Sequence, residues 1–157
     1  MTQTQAKPQD DHGRSQAIAQ LDSIKAMVGR LEHAGECDGG ENCNLTAEGY
    51  DAQTVTDQQR EDYHDKDAAR EAIQEDPLSV EVRSGWVSIG GNMEPEEFQI
   101  LLCTGGPAVR IMGELDEHGE PSRAWLEYQD WGTPWTHYAT RGAQDALLAY
   151  AREFISI

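Results

Sequence analysis

The chain has 157 residues and carries 29 Asp and Glu against 12 Lys and Arg, a net charge of -17. That balance repels nucleic-acid phosphates and anionic membrane surfaces, and it favours basic partners. The apolar fraction is 38% and the mean hydropathy -0.70. Length allows one domain with its own core, while composition requires part of the chain to be solvated.

Residues 1–13 contain no large apolar side chain after Met1 and read as a disordered arm. The remainder, 14–157, reads as a single α+β domain, with a helical acidic part at 14–76 and a sheet plus C-terminal helix at 77–157. No apolar run spans a bilayer, and the polar first dozen residues lack the apolar stretch of a secretory signal. A cytoplasmic protein with reduced thiols is expected, without membrane partners.

Ser15 is placed to cap a helix whose apolar face is Ile18, Leu21, Ile24, Val28 and Leu31, with Gly35 as its stop. Glu36–Asn44 then reads as a loop around Gly39-Gly40. Cys37 and Cys43 invite a metal reading, with His33 or His64 as further ligands. Five residues separate the cysteines, wider than the usual paired spacing, and there is no second pair. Two thiols in a flexible loop are expected instead, with no metal and no other cofactor.

Residues 46–76 hold ten acids against three bases. Thr56 or Asp57 is placed to cap one acidic helix that runs to about Glu75, before Pro77. Its thin apolar edge is Tyr63, Ala69 and Ile73. Asp57, Glu61, Asp62, Asp65, Asp67, Glu71 and Glu75 space negative charge along this rod and form the first candidate partner-binding surface. Asp62, Asp65 and Asp67 do not continue into a calcium loop, because its glycine and distal Glu are missing.

From Leu78 the period changes to two. Four strands are expected between about 78 and 130, as an antiparallel meander packed against the N- and C-terminal helices. Val80 and Val82 begin the first strand, which continues through a bulge at Gly85 to Ile89. Phe98, Ile100 and Leu102 share one face of the second. Gly105-Gly106 turns the chain into the third, with Val109, Ile111 and Leu115 on one face. Ala124, Leu126 and Tyr128 share a face of the fourth, Arg123–Gln129. Asp116, Glu117 and Glu120, with Asp130, make a second acidic candidate surface.

Ser122–Tyr138 contains three of the four tryptophans and is the candidate centre of the core or an exposed aromatic face. Trp131-Gly132-Thr133-Pro134-Trp135 turns away from the fourth strand. Trp131 and Trp135 are expected either to seal the last helix onto the sheet or to form an interface, and a homodimer is anticipated. The last helix carries Leu147, Leu148, Ala151, Phe154 and Ile155.

No catalytic constellation is legible. The nucleophile elbow G-x-S-x-G, the phosphate loop and the dinucleotide fingerprint are absent, and the five histidines are scattered. The runs V-R-S-G-W, I-L-L-C-T-G-G-P-A-V-R-I, G-E-L-D-E-H-G-E-P and A-W-L-E-Y-Q-D-W-G-T-P-W-T, between Val82 and Tyr138, resemble a family of small acidic proteins of proteobacterial plasmids, integrated elements and phages. That resemblance implies a role in counteracting host defence, as anti-CRISPR and antirestriction proteins do, and supplies no catalytic residues. The expected function is therefore a non-enzymatic inhibitor. Its partner would be a CRISPR effector subunit with a basic nucleic-acid-binding surface, and it would not bind nucleic acid itself. An antitoxin or a conjugation accessory module is the alternative.

Overall fold

The computed structural model describes residues 11–37, 43, 45, 54–139 and 141–155. The fold is α+β, with four helices and a five-stranded antiparallel sheet among the described residues. The elements are α1 (His12–Glu36), α2 (Asp57–His64), α3 (Lys66–Gln74), β1 (Ser79–Arg83), β2 (Glu97–Cys103), β3 (Ala108–Leu115), β4 (Pro121–Gln129), β5 (Thr136–Tyr138) and α4 (Gln144–Arg152). Strand order follows chain order, β1-β2-β3-β4-β5, so every strand pairs with its sequence neighbour. The expected meander is present with one strand more than the sequence reading gave. Thr136–Tyr138, pairing with Leu126–Tyr128, is too short to show a period of its own.

The sheet buries one face. Phe98, Ile100 and Leu102 of β2, Val109 and Ile111 of β3, and Ala124 and Leu126 of β4 meet Ala17, Leu21, Ile24 and Val28 of α1 and Leu147, Leu148, Tyr150 and Ala151 of α4. Alternation along each strand delivers this, because successive side chains point to opposite faces. Gly113 is required where Phe98 crosses it, since a Cβ there would collide with Phe98 Cζ and lie 2.5 Å from the Arg123 carbonyl oxygen. Among the described residues, the opposite face has no second layer. It is covered by its own polar ladder, in which Arg110 donates to Glu127 (2.7 and 2.9 Å) and to Gln99 (2.8 Å). Trp125 Nε1 donates to the same Glu127 carboxylate at 3.1 Å.

Several boundaries differ from the sequence reading. α1 begins at His12 with Asp11 as its cap, its carboxylate accepting from Arg14 N at 2.9 Å, so residues 11–13 belong to the domain and not to an arm. Gly13 allows that first turn to lie against Tyr128 and the Gln129 carbonyl. Residues 1–10 lie outside the described residues, as do Gly39-Gly40, Asn44, Glu48 and Asp51. β1 ends at Arg83 and does not bulge through Gly85 to Ile89. Arg83 pairs with Glu97, so residues 84–96 leave the sheet as a loop, closed by Glu96 N donating to Arg83 O at 2.9 Å.

The single acidic helix is two helices. Asp65 interrupts it in an extended conformation, and its carboxylate accepts from Asp67 N and Ala68 N, both at 3.0 Å. A residue that satisfies the free N–H groups of a new helix competes with continuing the old one, and aspartate does this well. Among the described residues no helix is long and apolar enough to cross a membrane.

Candidate functional site

The two short acidic helices pack on α1 through the residues the sequence singled out: Tyr63 of α2, and Ala69 and Ile73 of α3, are buried. Seven predicted acids, Asp57, Glu61, Asp62, Asp65, Asp67, Glu71 and Glu75, are all exposed. They are not equivalent. Asp65 is committed to capping α3, Asp62 accepts from Gln58 Nε2 at 2.8 Å, and Asp67 lies 4.0 Å from Arg70. Asp57, Glu61, Glu71 and Glu75 are turned to solvent.

The second predicted acidic surface is mostly turn structure. Asp116 accepts from His118 N (2.8 Å) and Glu120 N (3.0 Å), and the backbone N–H groups of Glu120 and His118 hold its carboxyl below the usual range. Glu117 is exposed, Glu120 half-buried, and Asp130 caps the next turn by accepting from Trp131 N at 2.9 Å.

Trp131 and Trp135 do not seal α4 onto the sheet. Trp135 stacks on Arg110, 4.1 Å from guanidinium carbon to ring centroid, on the sheet face opposite the helices. Trp131 is 78% exposed beside Gly106. Of the aromatic stretch, Ala124 and Leu126 of β4 enter the core and Tyr128 packs against it, as expected of the fourth strand, while none of its tryptophans does. Trp86, Ile89 and Met93, expected in or next to the first strand, are instead exposed on the loop that follows β1.

One juxtaposition joins four side chains from the end of α1, the connection after it and the end of α2. His33 stands on the last turn of α1 and Cys37 is the residue that ends it. Cys43 follows in the connection to α2, and His64 is the last residue of α2. Their ligand atoms all lie within 4.8 Å of one another, and all four residues are half-buried. His33 Nε2 is 3.0 Å from His64 Nε2 and 3.1 Å from Cys43 Sγ, which is 3.1 Å from His64 Nε2. On its far side, His64 Nδ1 meets the Arg60 carbonyl at 2.5 Å. Arg60 Nη1 donates to the Cys43 carbonyl at 3.1 Å, and Arg30 Nη2 donates to the Asp62 carbonyl at 2.7 Å. The expected pair of separate loop thiols is thus replaced by a convergent tetrad. Cys103, by contrast, lies on β2 outside the cluster, and burial pushes its thiol up against the opposing hydrogen bonds of the Val109 backbone and Gln16.

The tetrad's helical half was present in the sequence as His33 and Cys37, four apart and therefore on one helix face. The closing residues come from tertiary packing of α2 on α1, which spacing alone does not report. Comparison of the chain with family models, with curated proteins and with solved structures finds no match in any of the three.

Proposed function

We propose that the chain is a non-enzymatic inhibitor that occupies the basic nucleic-acid-binding surface of a bacterial defence complex in the host cytoplasm. A type I CRISPR surveillance complex is the first candidate. The observation that carries this reading is the set of outward carboxylates on α2 and α3, above all Asp57, Glu61, Glu71 and Glu75. Residues four apart on a helix stand about 6 Å apart along its axis, close to two phosphate steps of one DNA strand. A groove lined with Lys and Arg responds to charge at such spacing. The net charge of -17 extends the attraction and makes it salt-dependent. The resemblance of Val82–Tyr138 to mobile-element proteins supports the choice of partner.

The test is an electrophoretic shift of target DNA by the candidate complex with the acidic protein in excess. Loss of the shifted band, restored by charge reversal at Glu61 and Glu71, is the expected result. Normal DNA binding in excess protein would overturn the DNA-exclusion reading.

A second reading is favoured by a separate observation. Trp86, Ile89 and Met93, on the loop that leaves edge strand β1, are each exposed, as the apolar side chains of a protein-docking surface are. On that reading the chain is an interaction module, and its own second copy is one partner. Light scattering at micromolar concentration, with Trp86→Ser as the comparison, separates dimer from monomer.

A further inference from the structure

We propose that His33, Cys37, Cys43 and His64 form a closed tetrahedral zinc site that ties the C-terminal end of α1 to that of α2. The proposal stands independently of which partner the acidic surface meets. It rests first on convergence, since one ligand atom from each residue falls within 4.8 Å of all the others. At the roughly 2.0–2.1 Å of a zinc–nitrogen bond and 2.3 Å of a zinc–sulfur bond, tetrahedral geometry separates two nitrogens by about 3.3 Å and nitrogen from sulfur by about 3.5 Å. The separations of 3.0–3.1 Å among His33, His64 and Cys43 lie a few tenths of an ångström inside those values.

Hydrogen bonding alone does not account for the cluster. With its Nδ1–H donating to the Arg60 carbonyl, a neutral His64 presents only a lone pair at Nε2. His33 Nε2 and Cys43 Sγ then supply at most two protons for three close pairs. A cation satisfies all three at once, and the Arg60 carbonyl fixes the ligating tautomer in the way outer partners of metal-bound histidines do.

The donor set also chooses the metal. Two thiolates and two imidazoles arranged tetrahedrally suit zinc better than an oxygen-seeking cation. Two thiol protons leave to solvent on binding, so the loaded site is neutral. Four protein ligands fill a four-coordinate site and leave no open position for substrate, which makes the role structural. What it would stabilise is clear from the packing. α2 has eight residues and buries one of them, Tyr63, far below the length at which a helix holds by itself.

The experiment uses the full chain, stripped with chelator under reductant and titrated with cobalt(II) as a spectroscopic probe. One equivalent is expected to saturate, giving visible bands of tetrahedral intensity and a thiolate-to-metal charge-transfer band that zinc bleaches. Cys43→Ser and His64→Asn are expected to weaken zinc by more than the roughly 10–100-fold that loss of an outer partner costs. Cys103→Ser should leave affinity unchanged. Because a ligand variant can misfold, hydrogen exchange on the wild-type chain gives a second reading: stripping zinc should expose the amides of 57–64 and leave β2–β4 protected. A reduced wild-type chain that takes up no metal would sink the proposal. So would a thiolate-free octahedral cobalt spectrum, wild-type affinity in both ligand variants, or unchanged exchange at 57–64.

Discussion

Phe98, Ile100, Ile111, Leu126 and Leu147 exclude water completely where the sheet meets α1 and α4, while α2 buries only Tyr63 on the same α1. α1 serves both regions, its first four turns lying in the core and its last turn in the histidine–cysteine cluster. One region is held by apolar area, roughly 25 cal/mol for each Å² removed from water, and the other by a few directed bonds. The two regions should therefore come apart separately. The core sets global stability, and the acidic helices can open while it stays folded, as contiguous units of low local stability do. α3 is intermediate. Ile73 and Ala69 are buried, Arg70 pairs with Glu153 at 2.9 Å, and Tyr150 donates to Asp76 at 2.6 Å, so it is bound to α4 as well as to α1.

The largest effect is expected at Phe98, whose ring lies over Gly113 in the buried face. Phe98→Ala should cost about 3–5 kcal/mol by leaving a cavity that close-packed neighbours fill only in part. Thermal unfolding of the core would move by on the order of 10 °C. Retention of the wild-type midpoint would mean that the core is not where stability resides, and the comparison between the two regions would fail.

An intermediate effect belongs to the joint between the regions. Tyr150 is buried, and burial together with the Asp76 carboxylate pushes its hydroxyl well above the ordinary tyrosine value. Tyr150→Phe should cost about 1.5 kcal/mol, the worth of a hydrogen bond to a charged acceptor. The sign of the pH dependence follows from the raised value. The contribution is full below about pH 10, the unfolded tyrosine value, and drains as pH rises from there toward the folded one. Denaturant melts on either side of pH 10 should therefore show wild type losing its advantage over Tyr150→Phe only on the alkaline side. An advantage that does not change across that range would remove the phenol–carboxylate bond as its source.

These differences also mark what was legible in the sequence. Where burial is one-sided and regular, the chain states it: Phe98-Ile100-Leu102 and Ala124-Leu126-Tyr128 alternate because the sheet has one wet face, and the meander follows. Three features escaped because they depend on what competes with a local pattern. Asp65 caps a helix of its own, and a run of good helix formers on both sides hides that break. Thr136–Tyr138 becomes strand only because β4 offers an edge. Trp135 leaves the core for Arg110, a choice made by a guanidinium 25 positions earlier that no periodicity connects to it. Of the candidate site, the carboxylates were readable residue by residue, since exposed acids on short helices need no tertiary knowledge. The His33–Cys37–Cys43–His64 tetrad was readable only as ingredients, because its closure depends on where α2 lands.

The smallest effect is the one most informative about α2. Thr56 caps it with a reciprocal pair of bonds, Gln59 N donating to the Thr56 hydroxyl at 3.1 Å and Thr56 N donating to the Gln59 side-chain oxygen at 2.9 Å. Thr56→Ala removes the first and frees an N–H at the helix start, at a cost of about 1 kcal/mol. If α2 opens on its own, that cost appears as roughly five-fold faster hydrogen exchange at 57–64 with the global melting point unmoved. If α2 unfolds only together with the sheet, the same substitution lowers the global midpoint and leaves exchange within α2 tied to that of β3. The acidic surface then has the stability of the core behind it, and Glu61 and Asp57 stand on a backbone that does not yield. Independent opening instead makes the carboxylate array adjustable, held in register at its far end by His64 and at its near end by a threonine.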